Sequence, residues 1–255
     1  MVAVSVRFYA ELNDFLPPVR RQNRFAYQCA HDATIKNAIE SCGVPHTEVD
    51  LVLVNGLSVD FSQRVRDGDE ICAYPAFLAL APAVAQLQRL RPGIAGEPCF
   101  IADAHLGGLA RLLRMLGFDT LYRNTFADRE IAGLAASGQR IVLTRDCDLL
   151  MHRAIVHGYF VRDERPRAQI SDVIRRFDLA GRLRPFSRCL RCNSKLQPAS
   201  KDAVRDRLPA RTAVTFNEFW SCPCCARIYW KGSHWHRMSR FAAESAASNP
   251  ATTMH

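Results

Sequence analysis

Residues 99–122, CFIADAHLGGLARLLRMLGFDTLY, decide the fold class of this 255-residue chain. The opening apolar run predicts a short buried strand that ends at Asp103. Leucine and alanine then recur at helical spacing over residues 106–116, and Gly117 is a residue type that ends helices. Residues 118–122 predict a second strand. A strand, a helix and a strand in this order form a parallel unit, which predicts an α/β fold with helices flanking a parallel sheet.

The same alternation continues downstream to residue 161. Asp128 precedes a predicted helix that Gly138 ends, and residues 140–144, RIVLT, predict a buried strand. A further helix is predicted to run to Gly158, and residues 159–161 predict the last strand.

Four aspartates occupy the positions where function gathers in such sheets, beyond the carboxyl ends of the strands. Asp103 ends the first strand, Asp128 opens the helix after the second, and Asp146 and Asp148 follow the third. Clustered carboxylates repel each other unless cations are present, and oxygen ligands favour Mg²⁺ or Mn²⁺. Such ions promote hydrolysis of a phosphodiester, so all four aspartates are predicted to be catalytic. The alternative that each aspartate caps a helix stays open for each one taken singly.

Two Cys-x-x-Cys pairs, Cys189 with Cys192 and Cys222 with Cys225, predict a structural zinc site. Four thiolates complete a tetrahedral shell and leave no open position for substrate. The 29 residues between the pairs are expected to carry a hairpin. Cys224 is a spare that breaks the two-residue spacing.

Positive charge is concentrated around these cysteines. Residues 175–241 hold 15 Lys and Arg against 4 Asp and Glu, whereas residues 1–97 hold 9 against 11. This patch indicates a surface that binds nucleic-acid phosphates, and the alternative is the soluble face of an arginine-rich protein.

Aromatic residues are interleaved with these charges. Such a set is typical of surfaces that stack on the bases of single-stranded RNA, although Tyr229 or Trp230 could instead pack the core of the ribbon. Arg111 and Arg114, on the predicted first helix, would extend the basic path. The residues of the interleaved set are Tyr229, Trp230, Lys231, Trp235 and Arg237.

The first 77 residues predict a β-grasp, ubiquitin-like domain: two strands, a helix capped by Thr34, and further strands around an Asn55-Gly56 turn. The start alternates like a strand rather than a signal peptide, and the longest apolar run, residues 76–87, is too short to span a bilayer. Metal-bound thiolates and the absence of a signal peptide predict a cytoplasmic protein without a membrane segment.

Long motifs carry a family resemblance. FIAD at residues 100–103, LGGLARLLRMLGFDT at 106–120, IVLTRD at 141–146, RCLRCN at 188–193 and RIYWKGSHW at 227–235 resemble the Mut-7 C-terminal RNase-domain family, a PIN-like nuclease fold fused to a zinc ribbon. PHTEV at 45–49, VNG at 54–56 and DGD at 67–69 resemble the ubiquitin-like domain related to the sulfur carriers of thiamin and molybdopterin synthesis. The resemblance implies an acidic quartet that binds Mg²⁺ or Mn²⁺, which Asp103, Asp128 and Asp146 match, with Asp148 as the fourth member. The segment between Asp103 and Asp128 lacks the glutamate that many PIN domains place on a long helix, so Asp163 and Glu164 are reserves.

The predicted organisation is a ubiquitin-like domain (1–77), a linker (78–97), a PIN-like nuclease domain (98–185), a zinc ribbon (186–240) and a disordered tail (241–255). The predicted function is a Mg²⁺- or Mn²⁺-dependent ribonuclease that grips RNA through the zinc ribbon, with protein docking as a role for the ubiquitin-like domain. One alternative is a non-catalytic adaptor that binds RNA or DNA. The other is a sulfur carrier, although this domain ends in Tyr74-Pro75 and continues, without the terminal Gly-Gly that carriers need.

Overall fold

The computed structural model describes residues 1–76, 87–91, 93–94, 96–233 and 235. More than half of the predicted linker, the whole of the predicted disordered tail, and Arg237 of the interleaved set lie outside these residues. None of the helices in the described ranges is long and apolar enough to cross a membrane.

The chain divides into two compact units, Met1–Ala95 with Ala127–Phe160, and Gly96–Phe126 with Val161–His255. The strands are β1 Val2–Phe8, β2 Phe25–Cys29, β3 Val49–Val54, β4 Leu57–Val59, β5 Glu70–Pro75, β6 Phe100–Ala102, β7 Thr120–Tyr122, β8 Ile141–Thr144, β9 Gly158–Phe160, β10 Gln197–Ala199, β11 Phe219–Ser221 and β12 Ile228–Trp230. The α-helices are α1 Ile35–Ser41, α2 Gly107–Met115, α3 Asp128–Gly138, α4 Cys147–Leu150, α5 Pro166–Arg176, α6 Lys201–Val204 and α7 Ala210–Thr215.

The first unit contains the β-grasp sheet, with strand order β2-β1-β5-β3-β4. The central strands β1 and β5 run parallel, and the outer pairs are antiparallel. The alternating residues of β1 point one set of side chains into a core shared with α1. Thr34 caps α1 through a capping box with Asn37, as the sequence predicts for this helix start. The predicted ubiquitin-like fold is confirmed.

The remainder of the first unit holds α3, α4 and the parallel pair β8 and β9. The prediction that the helix after β8 runs to Gly158 is wrong, because α4 ends at Leu150. The N–H of His152 donates to the carbonyl of Leu149, three residues earlier, which is the spacing of a 3-10 turn rather than of an α-helix. The carbonyl of Leu150 accepts a hydrogen bond from the hydroxyl of Thr47. A side chain from the ubiquitin-like domain therefore occupies an acceptor that a longer helix would need.

The second unit begins with the predicted strand, helix and strand. Strands β6 and β7 pair in parallel, and α2 buries Leu109, Ala110 and Leu113 on one face. The chain leaves α2 through Gly117, whose φ of +101° favours glycine, and a Cβ there would stand 2.1 Å from the carbonyl oxygen of Arg184. The predicted parallel sheet with flanking helices is confirmed in both units.

The zinc-ribbon segment of the second unit forms an antiparallel sheet in the order β10-β11-β12. The stretch between the two cysteine pairs carries β10 and β11 as antiparallel neighbours, with the short helices α6 and α7 inserted between them. The second cysteine pair lies in the turn between β11 and β12.

Candidate functional site

The four predicted zinc ligands converge. The sulfur atoms of Cys189, Cys192, Cys222 and Cys225 all lie within 4.8 Å of one another. The distance is 3.5 Å from Cys189 to Cys225 and 3.3 Å from Cys192 to Cys222. Zn–S bonds of about 2.3 Å would place tetrahedral sulfurs roughly 3.8 Å apart, so this donor set fits zinc. Cys224 is exposed and stays outside the cluster.

The thiols of the cluster differ in acidity. Burial raises the pKa of Cys225 to about 12. Burial also acts to raise the pKa of Cys192, but hydrogen bonds with Ser194, Cys222 and Cys189 together outweigh it and lower that pKa to about 6. Zinc binding requires all four thiolates, so it must displace the protons of those thiols that are still protonated. We therefore expect zinc affinity to decrease as the pH is lowered.

The first cysteine pair is anchored to the strand-helix-strand part of the same unit. Asn193, in the left-handed conformation at φ +67°, accepts a hydrogen bond from the N–H of Thr120 and donates one to Asp119. Arg188 forms a half-buried ion pair with Asp119 at 3.1 Å. These contacts fix the orientation of the cysteine cluster relative to β7.

Arg114 makes the most buried of these anchors, and it is not the surface cation that the sequence suggested. Its side chain is 5% exposed, and burial lowers the pKa of its guanidinium. Nε donates to the carbonyl of Thr120 (2.9 Å), and one terminal nitrogen donates to the carbonyls of Leu190 and Arg191 (3.2 and 2.9 Å). The three carbonyls thus stabilise the buried charge of Arg114, and no phosphate is needed to do so. Arg111, one turn earlier, is exposed.

One aromatic side chain of the ribbon contacts the clustered cysteines, and others pack against one another. The hydroxyl of Tyr229 lies 3.1 Å from the sulfur of Cys189 and accepts the N–H of Leu190, so Tyr229 is the residue that packs the zinc site. Phe186, which no pattern singled out, stacks on Trp220 at 4.3 Å and contacts Trp235 at 4.7 Å between ring centres.

Two of the predicted catalytic aspartates are helix caps. Oδ1 of Asp103 accepts the N–H of Ala104 at 2.6 Å, at the start of a 3-10 turn. Oδ1 of Asp146 accepts the N–H groups of Asp148 and Leu149, at 2.8 and 3.4 Å, and begins α4. A cap of this kind uses one carboxylate oxygen, and the side chains of Asp146 and Asp148 are exposed.

Asp128 is not a cap, contrary to the ideal N-cap position that the sequence suggested. The cap position belongs to Ala127, which makes no side-chain bond, and Asp128 is the first helical residue, with an exposed side chain. Its negative charge at a helix N-terminus is favourable without a cap bond. The reserve acid Asp163 forms an ion pair with Arg165 at 3.2 Å.

The structure thus places Asp128, Asp146 and Asp148 in the first unit and Asp103 in the second. Asp146 and Asp148 are brought together in one helical turn. Each of Asp103, Asp128 and Asp146 lies at the start of a helical turn that follows a strand, as the alternation of the sequence predicted.

A turn of the ubiquitin-like domain holds the segment that follows Asp146. The residues of this turn, His46–Glu48, are buried although all three are polar. Burial of polar groups requires hydrogen bonds, and each of the three meets a partner between α4 and β9. The contacts are Nε2 of His46 with the carbonyl of Ile155 (3.0 Å), the hydroxyl of Thr47 with the carbonyl of Leu150 (3.3 Å), and the N–H of Phe160 with Oε1 of Glu48 (2.7 Å). The sequence carries no signal for this contact beyond three consecutive polar residues.

Comparison with known proteins agrees with the motifs. A family model described as the Mut7-C RNAse domain matches residues 98–242, and one described as Mut7-C ubiquitin matches residues 1–81. Comparison with curated proteins gives no match. Among solved structures, the small archaeal modifier protein 1 of H. volcanii is 17% identical, and the match covers 30% of this chain and 100% of that one at a TM-score of 0.25. A putative molybdopterin converting factor subunit 1 from Pyrococcus furiosus is 16% identical, with 30% and 100% coverage and a TM-score of 0.24.

The RNase-domain model spans more than half of the chain and includes the four aspartates and the four clustered cysteines, and the ubiquitin model accounts for the β-grasp sheet. The resemblance predicted from the motifs is confirmed, and the chain belongs to the Mut7-C RNase domain family.

Proposed function

We propose that this protein is a ribonuclease that hydrolyses RNA phosphodiester bonds with the help of Mg²⁺ or Mn²⁺. The observation that carries the proposal is the RNase-domain match, which includes every predicted catalytic aspartate. In this proposal the nuclease domain covers residues 98–185 and the zinc ribbon covers residues 186–240.

The proposed catalytic residues are Asp103, Asp128, Asp146 and Asp148. Hard divalent cations prefer carboxylate oxygens, which these residues supply. Asp146 commits only Oδ1 to its cap, so its exposed carboxylate can serve a cation as well. When bound, the metal would stabilise negative charge on the phosphodiester and lower the pKa of a water nucleophile.

The zinc ribbon supplies the grip on RNA in this proposal. Residues 175–241 hold 15 Lys and Arg against 4 Asp and Glu, and a phosphate backbone is the complementary partner. The zinc site itself is structural, because four sulfurs fill the tetrahedral shell. Ten cysteines without a disulfide suit a reducing compartment, and we propose the cytoplasm.

The test is cleavage of single-stranded RNA by the zinc-loaded protein with added Mn²⁺, comparing wild type with Asp146→Asn and Asp146→Ala. Asparagine caps a helix about as well as aspartate, so Asp146→Asn removes the charge and keeps the cap. We expect Asp146→Asn to lose about 100-fold or more of the cleavage rate, which corresponds to roughly 3 kcal/mol of lost charge stabilisation, with an unchanged free energy of unfolding. Asp146→Ala should lose the cleavage rate and also about 1 kcal/mol of stability.

Asp60→Asn is the matched control. Asp60 accepts the N–H groups of Ser62 and Gln63 in the ubiquitin-like domain, a local turn that asparagine also supports, so cleavage should not change. Full cleavage by Asp146→Asn would show that Asp146 is only a cap. Salt-sensitive RNA binding without cleavage in any divalent metal would instead favour the non-catalytic adaptor.

A docking role remains proposed for the ubiquitin-like domain, toward another protein. The turn His46–Glu48 cannot be part of that docking surface, because all three residues are buried and each side chain makes a hydrogen bond within the chain. Pull-down with the full-length protein, comparing wild type with Leu57→Ser, would test the role, because Leu57 on the edge strand β4 is an exposed apolar side chain. Equal capture by both proteins would reject Leu57 as part of the surface.

A further inference from the structure

A cavity of about 380 Å³ opens in the second unit, between α2 and the zinc ribbon. Pockets for small organic ligands occupy about 300–1,000 Å³, so the volume suits a ligand rather than a single water molecule. Arg111 and Met115 line it from α2, and Trp230 and Gly232 line it from β12 and the residues after it. The walls are mainly aromatic and aliphatic.

The rings around the cavity are not equivalent. Tyr229 is committed to Cys189 and Leu190, as described above. Phe186 is held by stacking on Trp220 and by contact with Trp235. Trp230 is half-buried, and its indole ring makes no stacking contact and no hydrogen bond within the part of the chain that the structure describes. Trp230 is therefore the ring best placed to offer a face to a ligand.

Two backbone positions beside the cavity are unusual. Phe186 adopts a φ of +59°, a left-handed conformation that costs a bulky residue free energy. A Cβ on Gly232 would lie 3.0 Å from Nε1 of Trp230, so the absence of a side chain leaves room at the indole N–H. Strained positions of this kind collect at binding sites.

Two arginines, Arg111 and Arg188, line the cavity, and only Arg188 forms an ion pair with a carboxylate among the described residues. Arg188 is paired with Asp119 at 3.1 Å. Arg111 is exposed and has no carboxylate within ion-pair distance among the described residues. An uncompensated guanidinium beside an aromatic wall fits a ligand that is flat at one end and anionic at the other, which is the chemistry of a nucleotide.

We propose that this cavity binds one nucleobase of single-stranded RNA, with the base stacked on Trp230 and an adjacent phosphate paired with Arg111. The inference rests on the proposed ribonuclease function, because it names a binding subsite for the same RNA. Stacking on an aromatic ring accepts any base, so the subsite contributes affinity without sequence preference. It also assigns to α2, through Arg111, the cationic role that the buried Arg114 does not fill.

The experiment measures binding of a fluorescently labelled uridine 12-mer to zinc-loaded, full-length protein in the Asp146→Asn background, where cleavage is suppressed. A matching 12-mer with abasic positions serves as the second probe. Trp230→Ala should weaken binding of the uridine oligomer about 5- to 150-fold, which is the effect that stacking on one base typically has on affinity. It should leave the affinity for the abasic oligomer unchanged. Trp230→Phe, which keeps a ring, should restore part of the affinity.

Arg111→Gln should weaken binding of both probes and reduce the slope of log K against log salt by about 1. Arg64→Gln, an exposed arginine in the ubiquitin-like domain, is the charge-matched control and should change neither. Zinc content and tryptophan emission confirm that each variant is folded. Because Arg111 lies on an exposed helix face, that variant tests the subsite even if Trp230→Ala disturbs the ribbon.

Wild-type affinity for both probes in Trp230→Ala and Arg111→Gln would overturn the subsite, whatever the cleavage assay shows. Binding that depends on both residues, together with no cleavage by the wild type in any divalent metal, would sink the ribonuclease proposal and leave the subsite standing. The two proposals therefore fail separately.

Discussion

Replacing Arg114 by methionine tests whether the buried guanidinium joins the strand-helix-strand part of the second unit to the cysteine cluster. Methionine keeps most of the side-chain length and its packing, but it donates no hydrogen bond. Three carbonyls would lose their donor: Thr120, which is buried, and Leu190 and Arg191, which lie closer to solvent.

The magnitude follows from the exposure of those acceptors. Hydrogen bonds to a charged group contribute about 1.5–3 kcal/mol, and a buried group left without a partner costs about 1–3 kcal/mol. The carbonyls of Leu190 and Arg191 can recover water, whereas the carbonyl of Thr120 cannot. Burial of the charge in the native protein offsets part of the gain, and it is this burial that lowers the pKa of Arg114. We therefore expect Arg114→Met to reduce the free energy of unfolding by about 3 kcal/mol.

Urea unfolding followed by tryptophan fluorescence is the assay. The chain has 3 tryptophans, at positions 220, 230 and 235, so the emission reports on the ribbon alone. Zinc release to a chromophoric chelator should also be faster in Arg114→Met, because the carbonyls that it holds belong to the first cysteine pair. Arg111→Met, on the exposed face of the same helix, should stay within about 0.5 kcal/mol of wild type. A loss below about 1 kcal/mol in Arg114→Met would refute the anchoring role.

Gly117→Ala should destabilise the second unit by about 3 kcal/mol or more in the same urea assay. The added Cβ would lie 2.1 Å from the carbonyl oxygen of Arg184, and the φ of +101° is one that alanine rarely adopts. An unchanged free energy of unfolding would contradict the requirement for glycine at this position. Thr47→Val should cost about 1–2 kcal/mol by thermal or urea unfolding followed by circular dichroism, because it leaves the carbonyl of Leu150 without the hydroxyl donor, and Thr47→Ser should stay close to wild type. Burial lowers the pKa of His157, so the unfolded chain binds a proton on this residue more readily than the folded chain does. The buried neutral imidazole therefore contributes its full stability above about pH 6.5, and this contribution is lost as the pH falls below that value. Unfolding measured between pH 5 and 8 should therefore show a shallower acid slope in His157→Gln, and identical slopes would argue against the assignment.

Local patterns in the sequence determined much of this protein. The period of two in β1, the helical spacing of α2 and the capping box at Thr34 are set by neighbours within a few residues, so they predict the elements directly. The cysteine spacing likewise predicted which four cysteines come together, because two Cys-x-x-Cys pairs are the pattern that tetrahedral zinc requires. The same patterns placed three aspartates at the starts of helical turns.

Only the tertiary structure decided the rest, because it depends on contacts between residues far apart in the chain. Arg114 looks like a surface cation in the sequence, and it is buried because carbonyls more than seventy positions away meet it. The carbonyl of Leu150, at the end of α4, accepts a hydrogen bond from Thr47, which lies 103 residues earlier in the chain. The cavity beside Trp230 likewise exists only where α2 and the ribbon approach each other. Local propensity cannot encode such contacts, because the desolvation and hydrogen bonding of a polar side chain are determined by whatever the fold brings against it.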